Sequence, residues 1–290
     1  MTRRLIPPHP ALGSVVRHYY LQEDCGGIMH LPATPFPSIG FILTGQSHTL
    51  VDTLPPIASP PCFVTGPFDR PVTLQLAPGS RFATIMLRLG QLPVLFGLPT
   101  QLLANQAWPL HELIGQRTEN ELFERLQATA TAGIAEALDR WLTQHLAARS
   151  AHNTPTLLLP PSRLYDDSRE LARHYGLGVR QLQRKILSSY GMTLRDTRRM
   201  ARYINMLALL IARPDATGRL ASLAQDCGYF DQAHMTKDFR ALTGHTPGDL
   251  ARRIHGAYTL ETSAVQYSPI EQRLVLHNGN EDIRLSVGQH

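Results

Sequence analysis

The sequence predicts an α+β chain of more than one domain, β-rich at its start and helical at its end. Three observations carry this. Sixteen of the 22 prolines lie within residues 1–110, and proline breaks helices because it lacks the N–H and clashes with the preceding turn. In the same stretch apolar residues alternate with period two, as in half-buried strands. From Thr118 onward they recur with a helical period instead. The length of 290 residues fits about two domains at roughly 100–200 residues each, and the 43% hydrophobic share is ordinary globular composition.

The strands come first. In Val72–Ala77, Val72, Leu74 and Leu76 share one face. In Arg81–Leu89, Ala83, Ile85, Leu87 and Leu89 share one face and Phe82, Thr84, Met86 and Arg88 the other. Ile39–Thr44, Ser47–Val51 and Cys62–Thr65 are further strands, separated by Gly and Pro turns. Short strands with such punctuation predict a small β-barrel or sandwich.

The helical texture starts at Thr118-Glu119-Asn120-Glu121, which has capping-box spacing. Ile134, Leu138, Trp141, Leu142 and His145 then form one apolar stripe, and Gly133 either separates two helices or weakens one. The stripe packs on its own domain or pairs with its copy in a dimer. Residues 150–162 (SAHNTPTLLLPPS) read as a linker, and residues 166–250 as almost entirely helical. In the tail, Asn278-Gly279 is a hairpin signal, since both residues tolerate positive φ.

Composition narrows the function classes. The densest apolar run, Met206–Ala212, is far short of the ~20 residues a membrane helix needs. The N-terminus has no apolar stretch for a signal peptide. Three scattered cysteines without CxxC spacing argue against a disulfide framework or structural zinc. These features predict a cytoplasmic protein with no membrane partner. The net charge of +5 is unevenly spread: residues 160–255 hold 16 Lys+Arg and 9 Asp+Glu, a net of +7, and the remainder is −2. That asymmetry points to a polyanion partner for the basic segment. Only Lys185 and Lys237 are lysines. Arginine's planar fork suits phosphates and guanine edges, although a GC-rich genome also yields a high arginine share.

The basic segment contains one pattern twice. Asp167 and Glu170 form a capping box, a short helix follows, and it ends at Gly176. Gly178 caps a second helix whose Leu182 and Ile186 face inward, leaving Arg180, Gln181, Gln183 and Arg184 outward. About fifty residues on, Leu220–Ala224 begins a short helix closed by Gly228. Asp231 caps the next, whose Met235 and Phe239 face inward while Gln232, Ala233, His234, Thr236, Lys237 and Arg240 remain for another surface. The helical stretch Thr193–Ala212, with Arg195, Arg198, Arg199 and Arg202, joins the two. Each unit alone fits a plain αα-hairpin; two helix-turn-helix units in tandem, in the basic segment, fit DNA binding better.

Residues 166–253 resemble the C-terminal DNA-binding domain of AraC/XylS-family transcription regulators. The resemblance rests on Gly228-Tyr229-Phe230-Asp231-Gln232-Ala233-His234-Met235-Thr236-Lys237-Asp238-Phe239-Arg240 with Gly244-His245-Thr246-Pro247, and on Leu182-Gln183-Arg184, Gly191 and Arg202. It implies two recognition helices presented to successive major-groove segments. Arg180, Gln183 and Arg184 would contact base edges or nearby phosphates in the first unit, and Ala233 and Lys237 would be the main base-facing positions of the second. Gly178, Leu194 and Met235 depart from the residues the family commonly has there, and Pro160-Pro161 interrupts the position of its first helix.

Residues 5–115 resemble, more weakly, the cupin-like sensor barrels that precede such domains. The resemblance implies a small effector, a helical dimerisation segment and, with them, a homodimer working with RNA polymerase. Strand alternation nominates Phe41, His48, Phe63, Met86 and Arg88 as effector-binding residues. His30 and His48 are isolated, so neither a metal nor another cofactor is expected, and the absence of GxSxG, Walker and GxGxxG motifs argues against an enzyme. The alternatives are a cupin-like enzyme fused to a DNA-binding domain, and a regulator whose barrel is only a protein-interaction module. The expected division is 1–117 barrel, 118–149 helical segment, 150–162 linker, 163–255 DNA-binding domain and 256–290 tail.

Overall fold

Two long antiparallel strands, β2 (Val16–Leu31) and β7 (Val72–Leu87), form the spine of the N-terminal half. The structure is a computed structural model that describes residues 2–51, 53–149, 156–213, 218–257, 259, 261–267, 271 and 272. The runs Val72–Ala77 and Arg81–Leu89, read as separate strands, fuse in β7. Gly79 at φ +74° and register shifts in β2 between Gln22 and Gly27 bend the pair without ending it. The bend brings the backbones so close that a Cβ on Gly26 would lie 2.7 Å from Pro78 Cα.

The remaining strands are β1 (Thr2–Ile6), β3 (Ser38–Thr44), β4 (Ser47–Val51), β5 (Leu54–Ala58), β6 (Cys62–Thr65) and β8 (Ala107–Pro109). The sheet order is β1-β2-β7-β3-β6-β8, with β4 bridging β7 and β5. Pro55 and Pro56 fall in β5, which pairs only with β4 and so spares them a second ladder. The sheet does not close into the expected barrel: β1 and β8 end it, and among the described residues they do not pair with each other.

One sheet face is apolar. Tyr19, Leu21, Ile39, Phe41, Val64, Ala83, Ile85 and Leu87 pack against α1 (Gln91–Phe96), α3 (Gln116–Ala128) and α4 (Thr131–Arg149). Between α1 and α3 lies the short α2 (His111–Ile114). Burial of each such large side chain contributes about 1.5–3 kcal/mol. The α4 stripe Ile134, Leu138, Trp141 and Leu142 is spent in this core, while His145 stacks on Trp141 and bonds the Leu95 carbonyl at 2.8 Å. The chain breaks between α3 and α4 at Thr129-Ala130, and Gly133 lies in the first turn of α4. The capping box at Thr118 is a correction. The α3 N-cap is Gly115 at φ +84°, and Glu121 pairs with Arg117 at 2.9 Å rather than with backbone.

Among the described residues six α-helices follow: α5 (Ser168–His174), α6 (Val179–Tyr190), α7 (Leu194–Ala212), α8 (Leu220–Asp226), α9 (Gln232–Thr243) and α10 (Pro247–Ile254). Among the described residues no helix is long and apolar enough to cross a membrane. The segment leading into α5 is a packed strap. Leu157 and Leu159 are buried, and their N–H groups donate to the Ser189 and Tyr190 hydroxyls at 3.0 and 2.7 Å. The hairpin expected at Asn278-Gly279 lies outside the described residues.

Candidate nucleic-acid interface

Local rules account for both helix pairs. Asp167 accepts from the Arg169 N–H and starts α5, and Gly176 at φ +62° ends the turn after it. Gly178 has no side chain with which to cap α6. Instead the Gln181 Oε1 reaches back to the Gly178 N–H at 3.1 Å, half of a capping box. In the second unit Asp231 accepts from the His234 N–H at 2.7 Å, and Gly228 at φ +79° makes the preceding turn. Thr193 caps α7 through the Asp196 N–H.

The inward residues are those expected from spacing. Leu182, Ile186, Met235 and Phe239 are fully buried. The outward ones divide as the period predicts: Arg180, Gln181, Gln183 and Arg184 are exposed on α6, and Gln232, Ala233, His234, Lys237 and Arg240 on α9, with Thr236 half-buried. Two of these side chains are engaged within the protein. Gln181 caps its own helix. His234 leans edge-on against the Tyr229 ring at 5.4 Å, and the Arg202 guanidinium lies 5.6 Å from the same ring. Spacing alone could not show either contact. Lys185 is also exposed beside Arg184 and extends the basic face; the adjacent Arg184-Lys185 pair was the available signal.

The joining helix is tied to both units. Arg199 Nε pairs with Asp238 Oδ1 at 2.8 Å, tying α7 to α9. Tyr203 meets Phe239 edge-on at 5.2 Å beneath it. Arg198 is not a free basic group facing outward: it donates to the Leu164 and Asp166 carbonyls at 2.7 and 2.5 Å, bracing the approach to α5.

The effector candidates do not converge. Phe41 points into the apolar core, fully buried, whereas Phe63, Met86 and Arg88 lie on or beside the opposite sheet face. The Phe63 ring covers Gly40, where a Cβ would lie 2.2 Å from Cζ. Arg88 donates to the Gly13 carbonyl at 2.5 Å, a backbone acceptor within the protein. Met86 packs on the first unit's core, and His48 sits on β4 opposite Ala58 and Gln75. The cause is the bend in β7 and the two-faced sheet, which separate residues that alternation alone groups together. Among the described residues no cluster of His, Cys, Asp and Glu could hold a metal ion.

A family model described as a helix-turn-helix domain matches residues 171–253, and one described as a domain of unknown function (DUF6597) matches residues 4–109. No curated protein sequence matches the chain. Among solved structures, the P21 form of ToxT from Vibrio cholerae aligns with a TM-score of 0.45 at 10% identity, over 82% of this chain and 99% of that one. ToxT from the same organism with bound unsaturated fatty acid gives 0.43 at 10%, over 83% and 97%. ToxT bound to (E)-4-(8-methylnaphthalen-1-yl)but-3-enoic acid gives 0.41 at 12%, over 80% and 98%. The matched helix-turn-helix residues span α5 to α10, the two capped pairs and the helix between them, and this part of the chain is an AraC-type helix-turn-helix domain.

Proposed function

We propose that this regulator reads DNA by placing α6 and α9 in successive major-groove segments, under the control of a small effector sensed by the N-terminal half. The observation that carries it is the pair of capped helices, each burying its apolar side and presenting polar and basic residues outward. Arg180, Gln183 and Arg184 are the base-reading set of α6. Arginine to guanine and glutamine to adenine are each worth about 1–3 kcal/mol of discrimination. On α9, Gln232, Ala233, Thr236 and Lys237 face the groove, and Arg240 supplies charge. Gln181 and His234 serve chiefly to shape their helices.

The division we favour is a sensor over 1–117, a helical segment over 118–149, a linker over 150–162, the DNA-binding domain over 163–255 and a tail beyond. Effector control has a mechanical route. The Thr100 hydroxyl, on the 3-10 turn Thr100–Leu103, donates to the Ser189 carbonyl at the end of α6 at 2.8 Å. The Ala33 N–H donates to the Leu242 carbonyl near the end of α9 at 2.7 Å. A ligand that shifts either loop shifts a recognition helix. The protein acts by binding, in the cytoplasm, as a homodimer that works with RNA polymerase. The dimer contact uses surface other than the α4 stripe, which the core consumes.

The test is a titration of the full chain against duplexes enriched from a random library and against unselected duplex, over a salt series. A steep fall of log K with log salt, and tighter binding to the enriched duplex, are expected. Equal affinity for both duplexes overturns sequence reading.

A further inference from the structure

We propose that Phe230 is a specificity-determining residue of the second unit, reading thymine through its C5-methyl group. The inference deepens the DNA-binding reading above and rests on it.

Two aromatics, Tyr229 and Phe230, precede the cap Asp231. Gly228, at φ +79°, turns the chain so that only one of them enters the core. Tyr229 does so and is 3% exposed; Phe230 is turned out and is 86% exposed. A hydrophobic residue just ahead of a helix cap ordinarily folds back on the fourth helical residue as a staple. Here that residue is Met235, already fully buried, and Phe230 does not cover it. Scattered surface hydrophobes are common and need no explanation. Phe230 differs in being the most exposed large hydrophobic residue described, adjacent to the first turn of a recognition helix. Recognition helices meet base edges with that first turn.

The chemistry of the same turn points the same way. Ala233 is exposed and offers only a methyl group. His234 is turned against Tyr229. Phe230 and Ala233 thus add an apolar edge beside the exposed amide of Gln232 at the start of α9. The major groove presents one apolar group, the thymine methyl, and Phe and Ala are side chains that contact it. The second unit therefore adds methyl contacts to its hydrogen bonds, which the first unit does not.

The experiment uses the full chain and a duplex enriched from a random library, with each thymine replaced singly by deoxyuridine. That exchange removes the methyl and leaves base pairing intact. In the unaltered protein at least one replacement should weaken binding about fourfold, the size of one buried methylene-sized contact. Phe230→Ala should weaken binding to the thymine duplex by at least as much and make that replacement silent, while Phe230→Leu keeps part of the effect. The Ala variant should melt with the unaltered protein, because the ring is already in water. A deoxyuridine profile identical in the unaltered protein and Phe230→Ala overturns the proposal, and leaves a protein partner as the occupant of the ring. Equal weakening on enriched and unselected duplex also overturns it. If no duplex is enriched at all, the DNA-reading itself fails, before any Phe230 variant is compared.

Discussion

The two helix-turn-helix units share a grammar and differ in what supports them. The second unit rests on a core largely its own: Tyr203, Met206 and Leu210 of α7, Leu223 and Ala224 of α8, Met235, Phe239 and Leu242 of α9, and Leu250 and Ile254 of α10. The first unit does not close its core alone. Leu171, Leu182, Ile186 and Leu194 share a cluster with Leu157 and Leu159 of the strap and with Phe36, Leu89 and Met86 of the N-terminal half. The sequence repeat therefore hides a mechanical asymmetry. A motion of the N-terminal half reaches α6 through apolar packing, but reaches α9 through fewer contacts, such as Ala33 to Leu242.

The largest effects should come from the two cores. Phe239→Ala should cost about 3–5 kcal/mol and Leu182→Ala about 2–5 kcal/mol. Amide hydrogen exchange should show Phe239→Ala losing protection in α7 to α10, with the sheet unaffected. Leu182→Ala should loosen α5, α6 and the Thr100–Leu103 turn together. Equal loss of protection in α8 and α9 from Leu182→Ala would falsify the asymmetry.

Acid should separate the units next. His18 is buried on the sheet face paired with Met86, and its Nδ1 has no hydrogen-bond partner among the described residues. Burial, with Arg17 beside it, lowers its pKa from 6.5 to about 3. The folded protein thus keeps His18 neutral where the unfolded chain is protonated. The stability this arrangement confers is intact above 6.5 and declines as pH falls from there toward 3. At about pH 5 the loss is on the order of 2 kcal/mol. Denaturant melts from pH 7 to 5 should show that loss, and His18→Leu should flatten it. Because Met86 belongs to the first unit's seat, α6 should deprotect before α9. An unchanged pH slope in His18→Leu means that another group controls acid sensitivity.

DNA readout gives a comparable effect. Arg184→Ala should lose about 1–3 kcal/mol of discrimination at one base pair. Arg240→Ala should instead weaken all duplexes and lower the salt slope by about one. If both variants relax the same base pair, the units do not read separate segments.

The smallest effect is the most diagnostic. Gly191 and Gly244 end α6 and α9 in the same left-handed conformation, at φ +71° and +77°. Alanine at either should cost about 1–2 kcal/mol for the backbone alone. At Gly244 a Cβ meets nothing within 4 Å, whereas at Gly191 it lies 2.9 Å from Pro67 Cγ and 3.0 Å from Thr100 Cγ2. The excess of Gly191→Ala over Gly244→Ala, from denaturant midpoints, measures how firmly α6 is seated. No excess would show a loose seat.

Local signals made the helical half legible. The caps Asp167 and Asp231, the turns at Gly176 and Gly228, and the Leu182/Ile186 and Met235/Phe239 pairs all act within about four residues. Phe230 shows where that reach stops: the pair Tyr229-Phe230 announces one inward and one outward ring without saying which. In the N-terminal half, alternation assigned the faces of Arg81–Leu89 correctly but grouped Phe41 with Met86, which the sheet puts on opposite sides. The strap over 156–160 read as a linker because prolines and turn residues hide its two buried leucines.

By itself the sequence determined the tandem units, their caps, their inward pairs and the basic excess around them, because those depend on neighbours along one helix. Only the tertiary structure decided that the sheet stays open, that the α4 stripe is consumed in the core, and that the first unit takes several core residues from the N-terminal half while the second takes little beyond Ala33. Those outcomes depend on contacts such as Thr100 with Ser189 and Ala33 with Leu242. Their partners lie tens to hundreds of residues apart, beyond the reach of any local pattern.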